Sequence, residues 1–99
     1  MMNTIKNQDN GILTIALEGR MDITTAPDLE QVVKSDLDGV TELVMDLEKL
    51  TYISSAGLRV LLLAQKKMDK QGSMKALHVN EAVMEVFVAM GFADILTIE

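Results

Sequence analysis

Two adjacent serines, Ser54 and Ser55, stand directly before a run of helix-forming and apolar residues, Ala56-Gly57-Leu58-Arg59-Val60-Leu61. A serine where a loop becomes a helix caps the first turn by accepting a hydrogen bond from a backbone N–H. In the same position its hydroxyl faces solvent and is open to modification. A phosphate placed there sits on the positive end of the helix dipole, beside free N–H donors. It leaves the helix standing but adds about 1.5 to 2 negative charges and three strong acceptors to one spot of the surface. A partner that fits the neutral serine then meets repulsion and a desolvation cost. The chemistry open to this segment is therefore a helix cap, or a covalent on/off switch.

The other residues with chemical potential are fewer. Asp22 ends an apolar stretch just ahead of Thr24 and Thr25, and as a loop carboxylate it suits a turn. Arg59 falls one helical turn after Ser55, within reach of a phosphate or a partner acid. Met21, Ile23 and Tyr52 flank these positions as apolar anchors, and Tyr52 is the strongest hot-spot type among them. Asp46 interrupts an apolar strand and needs hydrogen bonds if it is buried. Asp22 and Asp46 alone are a poor ligand set, so no metal site is expected. His78 reads as a half-buried strand residue. A Ser-His-Asp hydrolase is disfavoured because no Gly-x-Ser-x-Gly elbow is present.

These residues need a frame, and the periodicity supplies one. Thr4 to Lys6 reads as a weak strand, Asn10-Gly11 as a tight turn, and Ile12 to Leu17 as a strand closed by Gly19, so the chain opens with a hairpin. Thr24 or Thr25 caps a first helix whose first turn holds Pro27, whose stripe is Leu29, Val32, Val33 and Leu37, and which Asp38-Gly39 ends. Leu43 to Leu47 reads as a buried strand and Glu48 to Ser54 as a loop. The second helix starts near Ser55, buries Leu58, Leu61, Leu62 and Met68, and stops at Gln71-Gly72. Met74 to Val79 is a further strand. Asn80 caps a third helix with Val83, Val86, Phe87 and Met90 on its apolar face and Gly91 at its end, and Ile95 to Ile98 is a last edge strand or a frayed tail. The order β-β-α-β-α-β-α-β implies an α/β domain with a mixed sheet, right-handed crossovers and helices mainly on one face.

Composition bounds the rest. Ninety-nine residues with a 48% hydrophobic fraction make one domain spanning residues 1–99. No cysteine is present, which removes disulfides and thiolate metal sites and suits a reducing cytoplasm. Nine basic against fifteen acidic residues give a net charge of −6, which disfavours nucleic acid and anionic membranes as partners. No apolar run is long enough to span a bilayer. The expectation is a cytoplasmic protein without a cofactor.

Leu50 to Leu61, with Ser-Ser-Ala-Gly-Leu-Arg at its centre, resembles the signature loop and helix of the STAS domain. More specifically it resembles the free-standing bacterial anti-sigma-factor antagonists. Gly19-Arg20-Met21-Asp22 followed by Thr25-Ala26-Pro27 resembles the family's Gly-x-x-Asp…Thr-Ala block, and Val44 to Leu47 its buried strand. In that family an Asp-Ser-Ser/Thr-Gly motif carries the phosphorylated serine two residues before the glycine. Aligned on Gly57, that residue is Ser55, with Ser54 where the aspartate usually stands and Ala56 where the second hydroxyl residue stands.

The resemblance implies phosphorylation at Ser55, with Ser54 as the lesser candidate. It implies a partner surface of Asp22, Ile23, Thr24, Tyr52, Ser54, Ser55, Ala56, Gly57 and Arg59. The implied partners are an anti-sigma factor that is also a serine kinase of the ATPase fold and a metal-dependent serine phosphatase; the domain itself is not an enzyme. The alternative is a constitutive STAS adaptor in a transporter or signalling assembly, without phospho-switching.

Overall fold

A computed structural model describes residues 2–99. The chain opens with two long strands, β1 (Met2–Asp9) and β2 (Ile12–Met21), joined at Asn10-Gly11. Both turn residues take positive φ, 51° and 84°, which Asn and Gly tolerate and which matches the twist of the strands. There follow α1 (Ala26–Ser35), β3 (Glu42–Ile53), α2 (Ser55–Asp69), β4 (Ser73–Leu77) and α3 (Glu81–Ala89). The sheet order is β1-β2-β3-β4; β1 and β2 are antiparallel, and the pairs β2/β3 and β3/β4 are parallel. The eighth expected element reduces to one parallel bridge, Ala76 to Ile98.

The two-residue alternation of a strand sets the layers. Leu13, Ile15 and Leu17 of β2, Leu43, Met45 and Leu47 of β3, and Met74 and Ala76 of β4 are buried in one cluster with Leu29 and Val33 of α1, Leu58, Leu61 and Met68 of α2, and Val83 and Phe87 of α3. The opposite face carries Thr14, Ala16, Glu18, Asp46, Lys75 and Leu77, each half-buried. The helices therefore cover one face and leave the other to solvent, as the pattern predicted.

Several expectations shift. β3 runs to Ile53, so the stretch expected as a loop from Glu48 to Ser54 is strand up to its last residue. Its buried residues Leu47, Leu50 and Ile53 lie three apart because the pairing with β2 slips between Ala16/Glu18 and Gly19/Arg20. Such bulges re-aim side chains and erase the period of two that marks a strand. Met90 lies past the end of α3 and is 52% exposed rather than core. His78 is not a strand residue: its φ of 58° ends β4, and its side chain is exposed, not half-buried.

Candidate functional site

β2 and β3 end side by side, with Met21 paired to Ile53 and the Ser54 N–H donating to the Met21 carbonyl at 2.9 Å. From this edge both crossovers depart, so α1 and α2 begin next to one another. The carboxyl edge of parallel strands is where α/β folds place their sites. Gly57 permits the close approach. A Cβ on it would lie 2.8 Å from Met21 Cγ and 2.9 Å from Ile53 Cγ1, inside contact distance of two buried side chains. Met21 is fully buried. It is thus a floor for α2 and not the exposed anchor expected from sequence.

The Asp22 loop is closed on itself. Asp22 Oδ1 accepts from the Thr24 N–H at 2.9 Å, the Thr24 hydroxyl at 2.6 Å and the Thr25 N–H at 3.2 Å. The Asp22 carbonyl accepts from the Ala26 N–H at 2.8 Å. The Thr24 hydroxyl and then the Thr24 amide, with lesser help from the Thr25 amide and hydroxyl, hold the Asp22 carboxyl below the ordinary aspartate range against the opposing effect of burial. Thr25 occupies the cap position of α1 but makes no side-chain cap. Its hydroxyl donates to the Arg20 carbonyl at 2.8 Å and accepts from the Asp22 N–H at 2.9 Å, tying the loop to the end of β2. The outcome is a rigid turn that holds Ile23 out, 77% exposed. The Asp22 carboxylate is engaged within the turn it builds.

The serine turn is looser. Ser54 is the cap of α2, with extended backbone, and its Oγ accepts from the Gly57 N–H at 3.4 Å. Ser55 is the first helical residue and is exposed. The sequence left the cap open between these two; the structure gives it to Ser54 and leaves Ser55 for solvent. The first turn of α2 contains no acidic residue, while α1 has Asp28 and α3 has Glu81 there.

Arg59 is exposed one turn along from Ser55 and lines a cleft of about 290 Å³ with Glu30, Lys34, Val60 and Leu63. Tyr52 is 40% exposed and carries the Arg20 guanidinium 4.2 Å above its ring centroid, a cation–π contact that fixes the ring on the surface. Of the residues expected at a partner surface, Ile23, Thr24, Tyr52, Ser55 and Arg59 are exposed, Asp22, Ser54 and Ala56 are half-buried in the turns, and Gly57 is buried.

Asp46 stands apart. It lies on the open face of the sheet and not at the serine turn. Its Oδ1 meets His78 Nδ1 at 3.1 Å and the Glu48 N–H at 3.1 Å. Partial burial pushes its carboxyl up, but the His78 hydrogen bond, the Glu48 amide and the charges of His78 and Lys49 together bring it below the usual range. The same hydrogen bond and the Asp46 charge raise His78. No spacing rule connects residues 46 and 78; the pairing of Asp46 with Leu77 across β3 and β4 does.

The STAS domain family model matches residues 3–99. The chain belongs to the STAS family. It is 35% identical over 99 residues to BtrV of Bordetella bronchiseptica, named as an anti-sigma factor antagonist, an alignment covering 98% of this chain and 85% of that protein. The crystal structure of an anti-sigma factor antagonist from Mycobacterium paratuberculosis superposes with a TM-score of 0.89 at 23% identity, covering 99% of this chain and 85% of that one. The phosphorylated form of the Bacillus cell fate determinant SpoIIAA superposes with a TM-score of 0.77 at 16% identity, covering 98% and 91%. These likenesses place the STAS fold over the full described length. Among the described residues no helix is long and apolar enough to cross a membrane.

Proposed function

We propose that this STAS domain is a non-catalytic anti-sigma-factor antagonist whose binding surface is switched by phosphorylation of Ser55. The observation that carries the reading is the contrast at the start of α2. Ser55 is exposed at the first helical position, and no acid occupies the turn around it. That end of the dipole is open to a phosphate. Ile23 and Tyr52 are exposed on the flanking segments and Arg59 is exposed one turn further along α2, residue types that suit a binding hot spot. The name of BtrV supports the antagonist class, and SpoIIAA, solved in unphosphorylated and phosphorylated forms, supports phosphorylation as the signal.

In this scheme the unmodified domain binds an anti-sigma factor that is itself a serine kinase of the ATPase fold. Transfer of phosphate to Ser55 takes the domain's net charge from −6 to about −8 and places the new charge within the interface, so the complex separates. A metal-dependent serine phosphatase restores the hydroxyl. The helix stays intact, because the phosphate lies at its positive end.

The test is intact-mass analysis with peptide mapping of protein from its native cells, with and without phosphatase treatment. One phosphate, mapped to Ser55 and removed by the phosphatase, is the expected result. Phosphate on Ser54 alone would move the switch to the cap. Protein that carries none in any growth state, yet is captured in a stable assembly, would replace the switch with a constitutive adaptor.

A further inference from the structure

The face of the sheet that the helices leave open holds a cluster with no part in the partner surface. Asp46 and Glu48 of β3 and His78, just past β4, each offer a ligand atom, and these atoms lie within 4.8 Å of one another. The sequence hid this, because two of the three residues are separated from the third by a whole helix crossover. The bulge in β3 falls between Asp46 and Lys49, which frees the Glu48 N–H from the ladder to hold Asp46 Oδ1 at 3.1 Å. His78 sits at φ 58°, a conformation histidine adopts more readily than most residues, and this turns its ring back over β3.

We propose that Asp46, Glu48 and His78 bind a divalent cation of the borderline class represented by Zn²⁺. Ligand bonds of about 2.0–2.2 Å put neighbouring donor atoms about 3–3.5 Å apart around such an ion. Asp46 Oδ1 and His78 Nδ1 are already 3.1 Å apart. Glu48 is exposed and free to close the remaining gap by rotation. Beside the two carboxylates lies a depression of about 190 Å³ that Glu18 and Lys49 also line, with room for the waters that complete an exposed coordination shell. Lys49, the cation nearest this depression, is directed to Glu18 at 3.6 Å. One imidazole with two carboxylates selects zinc-like ions over Ca²⁺ or Mg²⁺, which take oxygen ligands alone. A bound ion would cross-link the middle of β3 to the β4–α3 turn.

The proposal stands apart from the serine switch and is tested without it. ZnCl₂ is titrated into the full chain by calorimetry, and Mn²⁺ is used to map line broadening by NMR. The expected result is saturable one-to-one Zn²⁺ binding, with broadening centred on Asp46, Glu48 and His78. His78→Asn, which keeps a side chain suited to the positive φ, and Glu48→Gln should each weaken binding about tenfold or more, with unchanged melting temperature. Absence of saturable binding, variants that bind as the wild type does, broadening centred elsewhere, or Mg²⁺ binding as tight as Zn²⁺ would each overturn it.

Discussion

The two turns at the carboxyl edge of the sheet are built on opposite plans. In the Asp22 turn one carboxylate oxygen gathers four donors, the Thr24 hydroxyl and amide and the Thr25 amide and hydroxyl, and the Thr25 hydroxyl also fastens the turn to β2. In the serine turn one cap bond of 3.4 Å is the only side-chain contact to the backbone, longer than a usual hydrogen bond. The first turn has its negative charge in place and spends it inward, on its own amides. The second has none and keeps a hydroxyl in solvent. In the proposed switch a partner relies on the shape of the first turn, while phosphorylation rewrites the charge of the second. Fixed geometry and changeable charge, side by side, are what a protein–protein switch needs in order to release a partner without unfolding.

The strongest way to break this comparison is to put charge where the serine turn has none. Ser55→Asp should weaken binding to the proposed kinase partner on the order of 100-fold, because charge brought into a desolvated interface costs several kcal/mol. Ser55→Ala should bind as the unmodified wild type does and stay bound in the presence of ATP. Calorimetry with the purified kinase measures both. Equal binding by the two variants would reduce Ser55 to a surface residue of α2.

Next in size is the support beneath both turns. Gly57→Ala forces a methyl group against Met21 and Ile53. Overpacking of that kind costs about 1–3 kcal/mol, read as a lower midpoint in urea denaturation. The substitution should also push α2 away from β2 and so weaken partner binding, even with Ser55 untouched. A Gly57→Ala protein as stable as the wild type would mean that α2 moves away at no cost, and that its closeness to the sheet does not define the surface.

A smaller effect is expected from Ser54→Ala. Loss of a helix cap costs about 0.5–2 kcal/mol, and the length of the Ser54 to Gly57 contact puts this one at the low end. A loss at the upper end would show that the serine turn is as firmly held as the Asp22 turn, which would remove the contrast.

How much of this was readable beforehand depended on the kind of signal. The helix caps at Asn80 and in the serine pair, the Asn10-Gly11 turn and the alternation of Leu13, Ile15 and Leu17 are local, and the elements follow them. The end of β3 was not readable, since the bulges opposite Ala16–Arg20 replace alternation with a spacing of three. His78 was misplaced for a related reason. Strand character up to Leu77 says nothing of a φ of 58° at the next residue, and its partner Asp46 is 32 positions away. Met21 looked like a loop anchor because the sequence does not reveal that Gly57 opens a space for it. The serine motif itself was readable because a cap, a glycine and an apolar helix stripe are consecutive.

The finest test of the contrast is acid. Hydrogen bonds from the Thr24 hydroxyl and from the Thr24 and Thr25 amides lower the Asp22 pKa in the folded protein. A group depressed in this way contributes stability above its unfolded value, and loses it as pH falls through the folded value. The Asp22 turn should therefore loosen only as pH falls through the lowered value of its carboxyl. NMR would show the Asp22 carboxyl titrating below the ordinary aspartate value. The Thr24 and Thr25 amide shifts would follow that carboxyl, while the amides of Ser55 and Ala56 would not respond to it. Asp22→Asn should abolish the Thr24 and Thr25 response and leave Ser55 unchanged. If the amides of both turns moved together with the Asp22 carboxyl, the two turns would be one hydrogen-bonded unit, and phosphate at Ser55 would then alter the shape presented by Ile23 as well as the charge beside it.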